Sequence, residues 1–160
     1  MAVVLGTRPE IVKLSCVVGA LGSQARLFHV GQHDDGALFE GTWHEYGLPE
    51  PELVLRSDSL PKALQISEIF SALHHAFKER PPHTVVVHGD TNAALAGATA
   101  AYTCGIRLFH VEAGLRNHDC SMLKEHNQAP AGQLVDALCA PKPPAWSVSP
   151  LWASPGTVSA

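Results

Sequence analysis

Two carboxylates follow the two clearest apolar segments of the sequence. Asp90 comes just after the segment Thr84–His88, and Glu112 comes directly after Arg107–Val111. If these segments are neighbouring parallel strands, both carboxylates lie in one crevice at the carboxyl edge of the sheet. Two carboxylates in such a crevice can hold different protonation states, which proton transfer at carbon requires. Each also has a structural explanation, Asp90 as a helix N-cap and Glu112 as an ion-pair partner of Arg116.

Two cations accompany the start of the first predicted helix. Arg8 precedes Pro9, and Lys13 lies one helical turn after Glu10. Cations beside the backbone N–H groups of a helix start can hold a diphosphate. The alternative is a solvated Arg8 and a surface Lys13 paired with Glu10. The glycine pattern of a dinucleotide-binding loop is absent here. Three histidines near predicted strand ends, His33, His88 and His110, are interpreted as orienting groups rather than catalysts.

Strands and helices alternate along the sequence, and the polar residues lie where strands end. The predicted strands are 2–5, 26–30, 52–55, 84–88, 107–111 and 138–140, and the predicted helices are 9–21, 34–46, 60–79, 91–102 and 124–138. This alternation predicts an α/β fold, a single Rossmann-like three-layer domain with a parallel sheet. The strands beginning at Ala2 and Thr84 should be neighbours, with the strand beginning at Arg107 beside the latter. We expect the domain to span 1–140 and a Pro- and Ser-rich irregular tail to span 141–160.

Composition excludes several classes of protein. The 160 residues are 46% hydrophobic and 16% charged, with a formal charge of -4, which suits a single globular domain and lacks the basic stripe of a nucleic-acid-binding protein. We expect no membrane segment and no signal peptide. The four cysteines lack metal-ligand spacing and the ten histidines form no HExxH pair, so we expect reduced thiols, a cytoplasmic location and no metal.

Four short motifs, in this order, resemble those of the non-hydrolysing UDP-N-acetylglucosamine 2-epimerases. They are Gly6–Glu10 with Lys13, Gly31–His33, His88–Thr91 and His110–Arg116. The resemblance runs from Ala2 to about Pro141. It implies that this chain is one half of a two-domain GT-B-type fold and that the reaction interconverts UDP-GlcNAc and UDP-ManNAc. In that family UDP is eliminated to give a 2-acetamidoglucal and then added back, and no cofactor is implied.

The resemblance also implies residue roles. It makes Asp90 and Glu112 catalytic acid/base carboxylates. Arg8, Lys13 and Arg116 fall in motifs that contact the UDP-sugar substrate. Gln32 and His33 match a loop associated, in bacterial members, with a second, regulatory UDP-GlcNAc. A homodimer, or pairing with an epimerase C-terminal domain, is the implied partnership.

The sequence departs from the family in the segment Leu123–Gln128. The family has Pro-Glu-Glu-x-Asn-Arg there, whereas Lys124 stands for the first Glu and Gln128 for the Arg, so one charge is reversed and one bidentate cation is lost. Pro130 follows inside the predicted helix, which it should kink or break. In the family a second domain supplies most UDP contacts and a catalytic His. We therefore expect an epimerase N-terminal domain that is inactive alone. The alternatives are a non-catalytic remnant, a regulatory or binding module of a full-length epimerase, or a hydrolysing epimerase.

Overall fold

A six-stranded sheet with helices on both faces forms the fold. The computed structural model describes residues 1–31, 36–57, 60–112, 127 and 130–139. The strands are β1 Ala2–Leu5, β2 Arg26–Gly31, β3 Leu53–Arg56, β4 Thr84–His88, β5 Arg107–Val111 and β6 Ala137–Cys139. The helices are α1 Arg8–Leu21, α2 Gly36–Glu45, α3 Lys62–Glu79 and α4 Asn92–Thr103, with a short 3₁₀ turn at Gly22–Gln24. Residues 130–133 are also helical.

The sheet is parallel throughout, in the order β3-β2-β1-β4-β5-β6. Ala2 is in register with Val85 of β4, and Thr84 is in register with Arg107 of β5. The predicted neighbours are therefore confirmed. Because all six strands run the same way, the segments that follow β1, β2, β4 and β5 begin at one edge of the sheet.

Both faces of the sheet are covered, which explains why the central strands β1 and β4 are buried along their whole length and mostly apolar. Ala2 and Val4 of β1 belong to a core formed with α3 and α4, whereas Val3 and Leu5 belong to a core formed with α1 and Trp43 of α2. All four residues of β1 are buried. The predicted three-layer α/β domain is thus confirmed.

Two sequence predictions need correction in detail. The predicted helix 124–138 is helical, among its described residues, at 127 and 130–133, so it ends earlier than predicted, whereas the predicted last strand 138–140 is found as Ala137–Cys139, paired with β5. A sheet edge with open N–H and C=O groups outweighs a weak local helical preference there. The sequence of α3 predicts a buried apolar stripe at helical spacing that includes Leu64, but Leu64 is 57% exposed. The buried positions of α3 recur every four residues and begin with a polar residue, Gln65. The predicted tail 141–160 lies outside the described residues.

No helix among the residues described is both long enough and apolar enough to cross a bilayer.

A buried histidine gives the first testable prediction. His29 of β2 is 8% exposed, and burial, followed by the nearby charge of Arg56, lowers its pKa to about 4. Because the unfolded chain protonates near the ordinary value, stability contributed by neutral His29 is present above about pH 6.5 and is lost as the pH falls toward 4. Urea unfolding at about pH 7 and about pH 5 should show that wild type loses roughly 2 kcal/mol more than His29→Gln.

That comparison isolates His29 from other titrating groups. Burial raises the pKa of Glu10, which changes stability with pH in the opposite direction, but Glu10 is present in both proteins and cancels in the difference. Equal losses for wild type and His29→Gln would contradict the prediction.

Candidate active site at the carboxyl edge of the sheet

The turn between β1 and α1 is organised by Glu10. Thr7 is the N-cap of α1, Pro9 occupies its first turn, and Glu10 stands three residues after the cap. The Glu10 Oε2 accepts hydrogen bonds from the backbone N–H groups of Gly6 and Thr7. This satisfies donors that a helix start would otherwise leave open. Arg8, the first residue of α1, is exposed at the same edge.

Glu10 also joins this turn to the turn that follows β4. Its Oε1 accepts a hydrogen bond of 2.7 Å from the Thr91 hydroxyl, and the same hydroxyl oxygen accepts the backbone N–H of Ala94. Thr91, not Asp90, is therefore the N-cap of α4. Glu10 is 3% exposed, and burial raises its pKa despite the three donors around it. A buried carboxylate thus holds two strand-end turns together.

The turn that carries Asp90 is fixed by β5. The Gly89 N–H donates to the Val111 carbonyl at 3.0 Å, and the His110 Nε2 donates to the Gly89 carbonyl at 2.7 Å. Gly89 has φ 65°, which glycine adopts without steric cost. Asp90 follows in a half-buried position, and its charge acts on His88 and His110. The sheet therefore dictates where Asp90 is presented.

Glu112 lies on the neighbouring strand end, within the same group of side chains. Its Oε2 accepts hydrogen bonds from Lys13 Nζ at 2.5 Å and from His88 Nε2 at 2.8 Å. Glu112 is the one non-glycine among the described residues with a positive φ, 60°, a conformation that costs free energy and recurs at functional sites. The structure thus brings four sequence-predicted residues, Lys13, His88, Asp90 and Glu112, to one edge. The alternative pairing of Lys13 with Glu10 is wrong.

The charge state of this group follows from burial and pairing. Burial opposes ionisation of Glu112, but the hydrogen bond from Lys13 and the charges of His88 and Lys13 outweigh it and lower the Glu112 pKa. Burial lowers the pKa of His88, and likewise that of His110. Near neutral pH the site therefore combines an ionised carboxylate, a cation and two neutral imidazoles.

Some predicted site residues lie outside the described residues. They are Gln32 and His33, which follow β2, and Arg116, which follows Glu112 by four positions. The departures from the family pattern at Lys124 and Gln128 lie there as well.

A chain of buried amides was not predicted from the sequence. Asn127 donates to the Asp90 carbonyl at 3.1 Å and to the Asn92 side chain at 2.9 Å. Asn92 in turn donates to Gln65 at 2.6 Å, and Gln65 donates to the Ser57 carbonyl at 3.1 Å. This chain connects the turn after β4 with the segment after β3. One sequence signal for it is the polar residue at a core-facing position of α3, Gln65.

Metal binding finds no support in this part of the chain. Within the described ranges, no three His, Cys, Asp or Glu side chains are grouped closely enough to hold a metal ion.

Comparisons with known proteins agree on one family. The model of the UDP-N-acetylglucosamine 2-epimerase family matches residues 20–147. A UDP-N-acetylglucosamine 2-epimerase from Methanococcus maripaludis is 34% identical over 88% of this chain and 39% of its own length. A UDP-2,3-diacetamido-2,3-dideoxy-D-glucuronate 2-epimerase from Pseudomonas aeruginosa is 32% identical over 86% of this chain and 40% of its own length.

Solved structures agree with these sequence matches. The UDP-GlcNAc 2-epimerase of Methanocaldococcus jannaschii, crystallised with UDP-GlcNAc and UDP, superposes with a TM-score of 0.85 and 35% identity. That match covers 90% of this chain and 41% of the other. The chain therefore spans about two fifths of the length of the relatives it matches.

Proposed function

We propose, since this chain belongs to the UDP-N-acetylglucosamine 2-epimerase family, that it forms the side of an epimerase active site that acts on the C2 proton and the diphosphate of UDP-GlcNAc. The observation that supports this best is the convergence of Lys13, His88, Asp90 and Glu112 at one sheet edge. Inversion at C2 requires a base for the proton and an acid for its return. Departure of UDP requires cations near the diphosphate.

The residues divide between these two tasks. In this proposal Glu112 or Asp90 takes the C2 proton while the anomeric C–O bond breaks to give UDP and a 2-acetamidoglucal. The other carboxyl returns a proton on the opposite face when UDP adds back. Arg8 and Lys13 bind the diphosphate, with Arg116 as a further substrate contact, and Gln32 and His33 bind a regulatory UDP-GlcNAc. No cofactor takes part. In this proposal the reaction takes place in the cytoplasm, and its product, UDP-ManNAc, is a precursor of cell-surface polysaccharide.

The length of the relatives bears on activity. Because this chain spans 39% of the Methanococcus maripaludis epimerase, we propose that the 160 residues bind a UDP-sugar weakly and do not epimerise it alone. A cleft lined on one side holds a diphosphate with fewer contacts and excludes water poorly. Catalysis would then need a homodimeric partner or an epimerase C-terminal domain. A non-catalytic binding module is the second candidate, which Lys124 and Gln128 in place of family residues favour.

Binding is the direct test of the proposal. Titration of the purified chain with UDP-GlcNAc should give saturable NMR shifts of the His88 and His110 ring signals, with a dissociation constant weaker than about 1 μM. Arg8→Gln should weaken binding at least roughly tenfold, because a charge-assisted contact is lost. Arg107→Gln, an exposed cation at the opposite end of β5, is the matched control and should bind as wild type does. Absence of saturable shifts would contradict the proposed function.

Exchange of the C2 proton of UDP-GlcNAc distinguishes an epimerase half-site from a non-catalytic binding module. In D₂O the chain with UDP-GlcNAc should incorporate no deuterium at C2 alone, and should do so when the C-terminal half of the Methanocaldococcus jannaschii epimerase is supplied. Binding with no exchange under either condition would favour the non-catalytic module.

A further inference from the structure

The Glu112 carboxylate has two partners that differ in how readily they can leave. His88 comes from the end of β4 with a side chain 6% exposed, whereas Lys13 comes from α1 with a side chain 50% exposed. Both donate to the same oxygen, Oε2. An exposed ion pair contributes at most about 1 kcal/mol, so another anion can take Lys13 away. Removing the partner of the buried His88 would cost more, since a buried donor would be left unsatisfied.

Lys13 lies where a second anion, such as a diphosphate, could bind it. Lys13 lies on α1, the helix whose N-terminus carries Arg8 and faces the carboxyl edge of the sheet. A diphosphate carries more negative charge than a carboxylate, and it is attracted to both the cation and the positive end of the helix. Lys13 can therefore pair with Glu112 or with a diphosphate, according to which is present.

We propose that Lys13 is a shared cation that pairs with Glu112 before a diphosphate binds and turns to the diphosphate afterwards, while His88 keeps the Glu112 carboxylate in place. This inference rests on the proposed function, since it assigns the diphosphate to Arg8 and Lys13. Where Glu112 is the carboxylate that takes the C2 proton, the consequence is that substrate itself activates the base. Glu112 stays in its ion pair with Lys13 until the diphosphate of the substrate binds Lys13 instead.

The charges around Glu112 determine in which direction its pKa changes when Lys13 leaves. Among the described residues, three ionisable groups act on the pair of Glu112 and His88: Lys13 from α1, Asp90 from the turn after β4, and His110 from β5. Lys13 lowers the pKa of Glu112 and also that of His88. When Lys13 turns away, the pKa of both groups should rise. A higher pKa makes Glu112 a stronger base toward a C–H proton.

Carboxyl-carbon and imidazole NMR titrations of the 160-residue chain, with UDP as the probe, test the proposal. Lys13→Gln without ligand should raise the pKa of Glu112 and of His88, because it removes the shared cation permanently. Saturating UDP should raise the Glu112 pKa in wild type by more than it does in Lys13→Gln, where only the field of the bound anion acts. Lys62→Gln, an exposed lysine at the start of α3, is the control and should leave both titrations unchanged.

Each result decides the matter. Equal UDP-induced shifts in wild type and Lys13→Gln, or an unchanged Glu112 titration in unliganded Lys13→Gln, would overturn the shared cation while the proposed function remained. If Lys13→Gln binds UDP too weakly to saturate, unliganded Lys13→Gln is compared with UDP-loaded wild type. A lower Glu112 pKa in loaded wild type than in the variant would then overturn the inference. Failure of wild type to bind UDP would remove the proposed function and this inference together.

Discussion

Glu10→Ala is expected to destabilise the domain by about 3 kcal/mol or more. Three donors converge on this carboxylate, namely the N–H groups of Gly6 and Thr7 and the hydroxyl of Thr91. Each buried donor left unsatisfied costs about 1–3 kcal/mol. Water can partly satisfy the donor that lies nearest the surface, which lowers the total. A loss of this size is a large fraction of the roughly 5–15 kcal/mol net stability of a domain. Urea unfolding of the variant at neutral pH measures it.

Two further variants make the Glu10 result specific. Glu10→Gln keeps an acceptor oxygen and removes a buried charge, so its loss should be smaller, about 1–2 kcal/mol. Glu68→Ala removes an exposed carboxylate of α3 and should change stability by no more than about 0.5 kcal/mol. If Glu10→Ala were as stable as Glu68→Ala, the buried bridge between the turns after β1 and β4 would not hold them together.

Gly6→Ala is expected to cost about 2–3 kcal/mol through overpacking. A Cβ at Gly6 would lie 2.5 Å from the Ala93 Cβ, and Ala93 is a fully buried residue in the first turn of α4. The methyl group is rigidly attached to the backbone, so relief requires the helix and the turn to move apart. Such a shift would also stretch the bond between Glu10 and Thr91. Thermal and urea unfolding should both report the loss.

The matched control, Gly19→Ala, should change stability in the opposite direction. Gly19 lies inside α1, and a Cβ built there meets nothing within 4 Å. Gly19→Ala should therefore raise stability by about 0.5–1 kcal/mol, since alanine loses less backbone entropy in a helix. Equal effects of Gly6→Ala and Gly19→Ala would mean that the close approach of α4 to the β1–α1 turn carries no energetic weight.

The layered sheet and the edge that carries the site were predictable from sequence. A strand buried on both faces favours an apolar run, as in Ala2–Leu5 and residues 85–87, and the polar residues that follow each run must then lie at one edge of a parallel sheet. Asp90 and Glu112 were identified by that rule. The T-x-x-E spacing of Thr7 and Glu10 likewise carried a local signal of a capped helix.

Only the tertiary structure decided which side chains pair. Lys13 lies within one helical turn of Glu10, so a local rule favours that pair, yet its partner is Glu112, 99 positions away. Glu10 is occupied by its own turn and by Thr91, 81 positions away. Periodicity and capping act over about four residues, whereas these pairs exist because β1, β4 and β5 are adjacent strands. Strand order depends on the packing of the whole sheet, and it is this order that places a removable cation and a buried imidazole on one carboxylate oxygen.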